Sequence, residues 1–280
     1  MIIVTILRTQ ALHTNTNIFI VSVALLDCVM AVSDFTQGIV YSTTFRHNIH
    51  VANIIDTVLL GTGYGALTIS CTHMAIIAID RFINIAYPFY YILNVTKRRL
   101  IVVLIIAWLF GLAYSTVPIM FYIDDKYHRH CITSSPPLEY FIINASLNVI
   151  DYFVIFACYF KIAHLAFTHK KAANARRLKI ENPEKVLKLR NTRIAAMKSV
   201  KFFVCLFGTF FAFTSPQIFV TGIRLLSFNI PDTIIIIIFY LYEVHSVMNF
   251  VIYYHVYKEF SDGFKKLLHD MIAVCKISKP

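Results

Sequence analysis

Asp27, the adjacent pair Asp80 and Arg81, Asp151 and Glu243 are ionisable residues set in, or at the end of, long apolar stretches. A charge at the centre of a lipid-spanning helix costs at least about 2.5–3.5 kcal/mol, so each such residue is a functional candidate by default. Asp80 and Arg81 are neighbours of opposite charge, and pairing lets a helix end hold a cation that would otherwise be costly there. The chain has no H-E-x-x-H, no G-x-S-x-G and no paired histidine box, so no enzyme chemistry is expected. Its six cysteines form no C-x-x-C pair, and four fall in apolar stretches, where a thiol behaves as a small hydrophobe. No metal or redox centre is expected from them.

The elements that position these groups follow from composition. Of 280 residues, 58% are hydrophobic and 15% charged, where a soluble domain has about a quarter charged. Six apolar stretches, 17–41, 53–79, 100–122, 138–168, 199–227 and 233–256, each approach or exceed the roughly 20 residues that cross a bilayer. In lipid, a helix satisfies every backbone N–H and C=O within one segment, and runs apolar all round are not barrel strands. The whole chain, 1–280, therefore reads as one helical membrane domain.

Charge orients it. Lys and Arg crowd 170–201, 97–99 and the tail after 257, which share one side when the six stretches alternate. The positive-inside rule makes that side, with the C-terminus, cytoplasmic. The net charge of +11 thereby reflects an acidic inner leaflet, not a nucleic acid, as partner. Residues 1–7 are apolar and are followed by Arg8, which reads as the last turns of a first span whose beginning is missing. Beyond Val256, Phe260, Phe264, Leu267 and Leu268 recur at helical spacing among lysines, so 257–269 is expected to lie on the inner membrane surface. Cys275 follows as a candidate for S-palmitoylation. Asn94 and Asn144 begin sequons, one cytoplasmic and one in a span, and neither is expected to carry glycan.

On these residues a family resemblance emerges. Asp80-Arg81-Phe82 with Ile85, Pro88 and Tyr91 resembles the DRY…I..P..Y pattern of rhodopsin-like, class A, G-protein-coupled receptors. Asn17 and Val23–Asp27 resemble that family's second span, Trp108 its fourth-span tryptophan, and Pro216 its sixth-span proline. Asn249-Phe-Val-Ile-Tyr253 resembles NPxxY with Phe250 for proline, and Glu259, Phe260 and Phe264 resemble the eighth helix. The resemblance implies an all-α seven-transmembrane bundle, here six complete spans plus a partial first span and an amphipathic C-terminal helix. It implies a multi-pass plasma-membrane receptor that carries an extracellular signal to heterotrimeric G proteins, without cofactor. The alternatives are a transporter or channel, or a non-functional truncated copy.

The resemblance also implies roles. Asp80, Arg81, Phe82, Pro88, Tyr159, Pro216, Asn249 and Tyr253 would form the coupling face and the activation switch, with Pro216 as hinge. Asp27, Ser70, His245, Ser246 and Asn249 match a polar cluster that holds either a sodium ion or water in relatives. Gly63, Tyr64, Asp151, Phe210, Phe213, Gln217 and Glu243 would face the ligand, which is expected to be peptide-like or a small chemosensory molecule. Departures accompany the match. Asp56 stands where the family has a disulfide cysteine, so no bridge to Cys131 is expected; a link from Asp56 to Lys126 or Arg129 is the substitute. Amine receptors have Asp at the position of Gly63, which argues against an amine, and Glu243 replaces the lysine of opsins. The base of the sixth span, Arg193–Lys198, has no acid to hold Arg81, so a weak resting lock is expected.

Overall fold

The computed structural model describes residues 1–13, 15–43, 49–122, 137–176, 183–226 and 228–277. Among these the regular elements are helical throughout. They are α1 (Ile2–Arg8), α2 (Asn15–Thr43), α3 (Ile49–Ala86), α4 (Pro88–Asn94), α5 (Lys97–Ser115), α6 (Val117–Tyr122), α7 (Leu138–Arg176), α8 (Pro183–Leu225), α9 (Asp232–Val256) and α10 (Lys258–Ile277), with a single 3-10 turn at Gln10–Leu12. Six segments are long and apolar enough to cross a membrane: Asn17–Ile39, Ile54–Ala86, Lys97–Phe121, Leu138–Leu165, Val200–Leu225 and Thr233–Val256.

Local chemistry sets the breaks. Proline cannot continue a helix, yet its fixed φ suits a first turn, so α3 stops at Ala86 and Pro88 opens α4. Thr96 caps α5, its hydroxyl accepting the Arg99 N–H at 3.4 Å. Several helices outrun their apolar stretches. The α3 helix continues past Ile79 through Asp80 and Arg81, whose charges neutralise each other. The basic segment expected as a loop is helical up to Arg176 and again from Pro183, and α10 runs to Ile277 rather than 269. Charged residues are good helix formers outside lipid, so hydropathy alone underestimates these helices.

The central helix is α3. Of its span 72% is buried, against 44% or less for the other five. It packs against α2, α5, α6, α7 and α8, while α1 rests on α2 and α10. The α3–α5 approach is close because both sides lack bulk. A Cβ at Gly65 would lie 2.7 Å from Ser115 Cβ, and one at Gly111 would overlap Ile69. A polar chain ties the same helices. Trp108 Nε1 donates to Ser22 Oγ at 2.9 Å, and Ser22 Oγ lies 2.8 Å from His73 Nε2. His73 Nδ1 contacts the Ile69 carbonyl at 2.8 Å. A carbonyl only accepts, so Nδ1 carries the proton and Nε2 receives the Ser22 hydroxyl. Every donor in this partly buried chain is used.

Candidate functional site

At the α4 end of α3, Arg81 Nε donates to Asp80 Oδ2 at 2.9 Å, and its Nη2 contacts the same oxygen. Both residues are buried. From α4, Tyr91 donates its hydroxyl to Asp80 Oδ1 at 2.9 Å. Burial, then the Asp80 charge, pushes the Tyr91 phenol up to about 12, which keeps it a donor at neutral pH. The guanidinium also lies over the Phe203 ring of α8, 5.6 Å from its centroid. Phe82 meets Tyr87 edge-on at 6.1 Å where α3 gives way to α4. The expected Asp80–Arg81 pair thus exists and is held by groups from two further helices.

Tyr253 is fully buried between Phe202 and Phe260, at centroid distances of 5.6 and 5.9 Å. Tyr159 lies on α7 at the edge of the same core. Pro216 is inside α8, where it removes the hydrogen bond to the Ala212 carbonyl.

Midway along the bundle, Asp27 gathers residues of α9. Asn249 Nδ2 donates to Asp27 Oδ2 at 2.9 Å and Ser246 Oγ to Oδ1 at 3.4 Å, with His245 Nε2 3.7 Å from Oδ1. The His245 Nδ1 donates to the Tyr242 carbonyl, which leaves Nε2 directed at the carboxylate. Ser70 Oγ and Asn249 Oδ1 are buried with no protein partner among the described residues. Four of the five expected residues therefore come together, and Ser70 is buried on α3 without a hydrogen bond to them. These oxygens suit a small hard cation or water, whereas His245 supplies nitrogen.

Toward the other end of α3, a cavity of about 100 Å³ opens between α2, α3, α8 and α9. Gly63, Tyr64 and Gln217 line it, as expected from the sequence, together with Asp34, Gln37, Thr221 and Tyr242. Asp151, Phe210 and Phe213, also expected there, are not on its wall. The reason is helix rotation and depth. Asp151 turns to α3 and accepts the Thr72 hydroxyl at 2.9 Å, while Phe210 lies deeper, 5.7 Å from the His245 ring. The side chains of Glu243 and Cys275, as well as Cys131, Lys126, Arg129 and the side chains of Arg193–Lys198, lie outside the described residues. Asp56, expected to reach Lys126 or Arg129, accepts from Gln37 Nε2 at 3.0 Å. Asp34 escaped the sequence reading, although it follows Asp27 by seven residues and so shares its helix face.

A helical membrane bundle whose central helix has a held acid–arginine pair at one end and a cavity at the other defines a membrane receptor architecture. The profile of the 7 transmembrane receptor (rhodopsin family) matches residues 1–253, and the chain belongs to that family. Its members are receptors rather than enzymes. The chain is 26% identical over 157 residues to the octopamine receptor beta-2R of Drosophila melanogaster, a match covering 54% of this chain and 28% of that protein. It is 26% identical over 117 residues to the 5-hydroxytryptamine receptor 1B of Mus musculus, and 27% identical over 117 residues to that of Homo sapiens. Each of these two matches covers 42% of this chain and 30% of the relative. The chain thus spans under a third of the length of these relatives.

Proposed function

We propose that this chain is the membrane core of a G-protein-coupled receptor that takes a small extracellular ligand in the Gly63–Gln217 cavity and engages a heterotrimeric G protein at Arg81. The observation that carries this reading is the placing of both sites on one buried helix. At about 1.5 Å per residue, Gly63 and Arg81 are about 27 Å apart along α3, close to the thickness of the hydrocarbon core. The basic residues at the ends of α7, α8 and α10 support an orientation with Arg81 toward the cytoplasm and the cavity toward the outside, by the positive-inside rule. Ligand and G protein then favour one minor arrangement of α8 about Pro216, and each raises the affinity of the other.

The Asp27 cluster lies between the two sites and would hold sodium only weakly, because His245 presents a nitrogen where an oxygen would serve better. Membranes containing the chain should catalyse guanine-nucleotide exchange on added G protein, and Arg81→Ala should reduce exchange by about tenfold or more, the loss expected when a charge-assisted contact is removed. Exchange that is unchanged in Arg81→Ala would remove Arg81 from the coupling face.

A further inference from the structure

Arg81 touches two helices in different ways. Within α3, its Nε and Nη2 both meet Asp80 Oδ2. Toward α8, its Cζ stands over the Phe203 ring, 5.6 Å from the centroid. Arg81 is 7% exposed and Phe203 1%, so little water competes for the cation. An aromatic face attracts a cation through its quadrupole, and more strongly when both groups are desolvated. Arginine suits this double use, because its planar and weakly hydrated head serves a carboxylate and an aromatic face at once. Phe203 is itself held. It meets Phe202 at 4.9 Å, and Phe202 in turn reaches Tyr253 at 5.6 Å and Tyr257 at 5.5 Å. The ring over Arg81 thus belongs to an aromatic row that joins α8 to the C-terminal end of α9. From Lys185 to Leu225 the sequence of α8 contains no acid.

We propose that Phe203 is an autoinhibitory contact: its ring holds Arg81 to α8 in the resting arrangement, in the place of an acid on that helix, and frees it when α8 moves away. This deepens the reading of Arg81 as the coupling residue and rests on it. A ring grips a cation without taking a hydrogen bond, so the N–H groups of Arg81 stay on Asp80 while the contact to α8 forms or breaks. At 5.6 Å the pair lies close to the outer limit of about 6 Å for such contacts, so a small outward step of α8 ends it. The ring favours the resting arrangement by a factor of about two to five, the value of one cation–π contact. That factor leaves room for the ligand-independent exchange expected of a chain without an acid at the base of α8.

The test replaces Phe203 in the full chain by mono-, di- and trifluorinated phenylalanine. Fluorine keeps the shape of the ring and drains negative charge from its face. Basal guanine-nucleotide exchange on added G protein should climb in step with fluorination, reaching about two- to fivefold. Phe203→Trp presents a stronger face and should lower basal exchange. The same fluorinated residues at Phe207, which packs on Tyr152 and Phe156, should leave it unchanged. Exchange indifferent to fluorination at Phe203 would overturn the proposal and leave the coupling role of Arg81 standing. An equal climb at Phe207 would also overturn it, as would Phe203→Trp raising exchange more than the trifluorinated ring does, the order that packing alone predicts. Should Phe203→Trp fail to fold, the fluorinated series decides. The purified chain in detergent, without G protein, gives a second readout: its melting temperature should fall in the order of fluorination at Phe203. Melting that follows this order in a chain that drives no exchange would count against the coupling reading and leave the Arg81–Phe203 contact standing.

Discussion

Tyr91 of α4 donates its hydroxyl to the carboxylate of Asp80 on α3, across the proline turn that separates the two helices. The bond fixes the same acid that holds Arg81, so α4 is tied to the Arg81 end of α3. Tyr91→Phe removes that donor and leaves the ring. Basal nucleotide exchange should rise about threefold, the lower range for a half-exposed hydrogen bond to a charge. A basal rate equal to that of the unaltered chain would show that α4 does not restrain Arg81.

The base of α8 reads Arg193-Ile-Ala-Ala-Met-Lys198, without an acid. Appreciable ligand-independent exchange is the expected consequence. Ala196→Glu supplies an acid in that basic run, and basal exchange should fall by up to about fivefold, the value of an ion pair near 1 kcal/mol. Activity that is already negligible before the substitution would count against a weak resting lock.

His245 places nitrogen beside Asp27 where an amide would offer oxygen. Exchanging sodium for choline in the assay buffer should therefore change basal exchange little. In His245→Asn, sodium should become inhibitory, with a shift of about twofold or more as an oxygen joins the donor set. Identical sodium responses in both chains would place the ion elsewhere or nowhere.

Ser22 serves two partners at once, accepting from the half-buried Trp108 and donating to the buried His73. Ser22→Ala strands both. Each orphaned group costs about 1–3 kcal/mol, so melting of the purified chain in detergent should move to clearly lower temperature. Ser22→Thr keeps the hydroxyl and should lose much less. Equal melting of the Ala and unaltered chains would show that the polar chain adds no stability.

Much of this architecture was legible in residue order. Asp80 beside Arg81 needs no fold to become a pair, and Asp27 reaches Asn249 because motif matches place both at mid-span. The cavity wall was less legible. Hydropathy says that a stretch is helical but is blind to which way each residue faces when almost every position is apolar. Asp151 was therefore expected on the cavity wall although it turns to Thr72, and Asp34, which does line the cavity, was passed over. The relevant signal was the seven-residue step from Asp27, which returns to the same face after two turns. Helix ends beyond the lipid were hidden for a different reason. Charged residues carry no apolar signature, though they continue α7, α8 and α10 readily.

The glycines where α3 meets α5 have a mechanical consequence. A seam made of backbone against Ser115 and Ile69 has few side chains that can change rotamer to absorb a shift. The two helices must travel together or not at all, which makes them the mast of the molecule. Bending is easier in α8, whose ladder is already interrupted at Pro216.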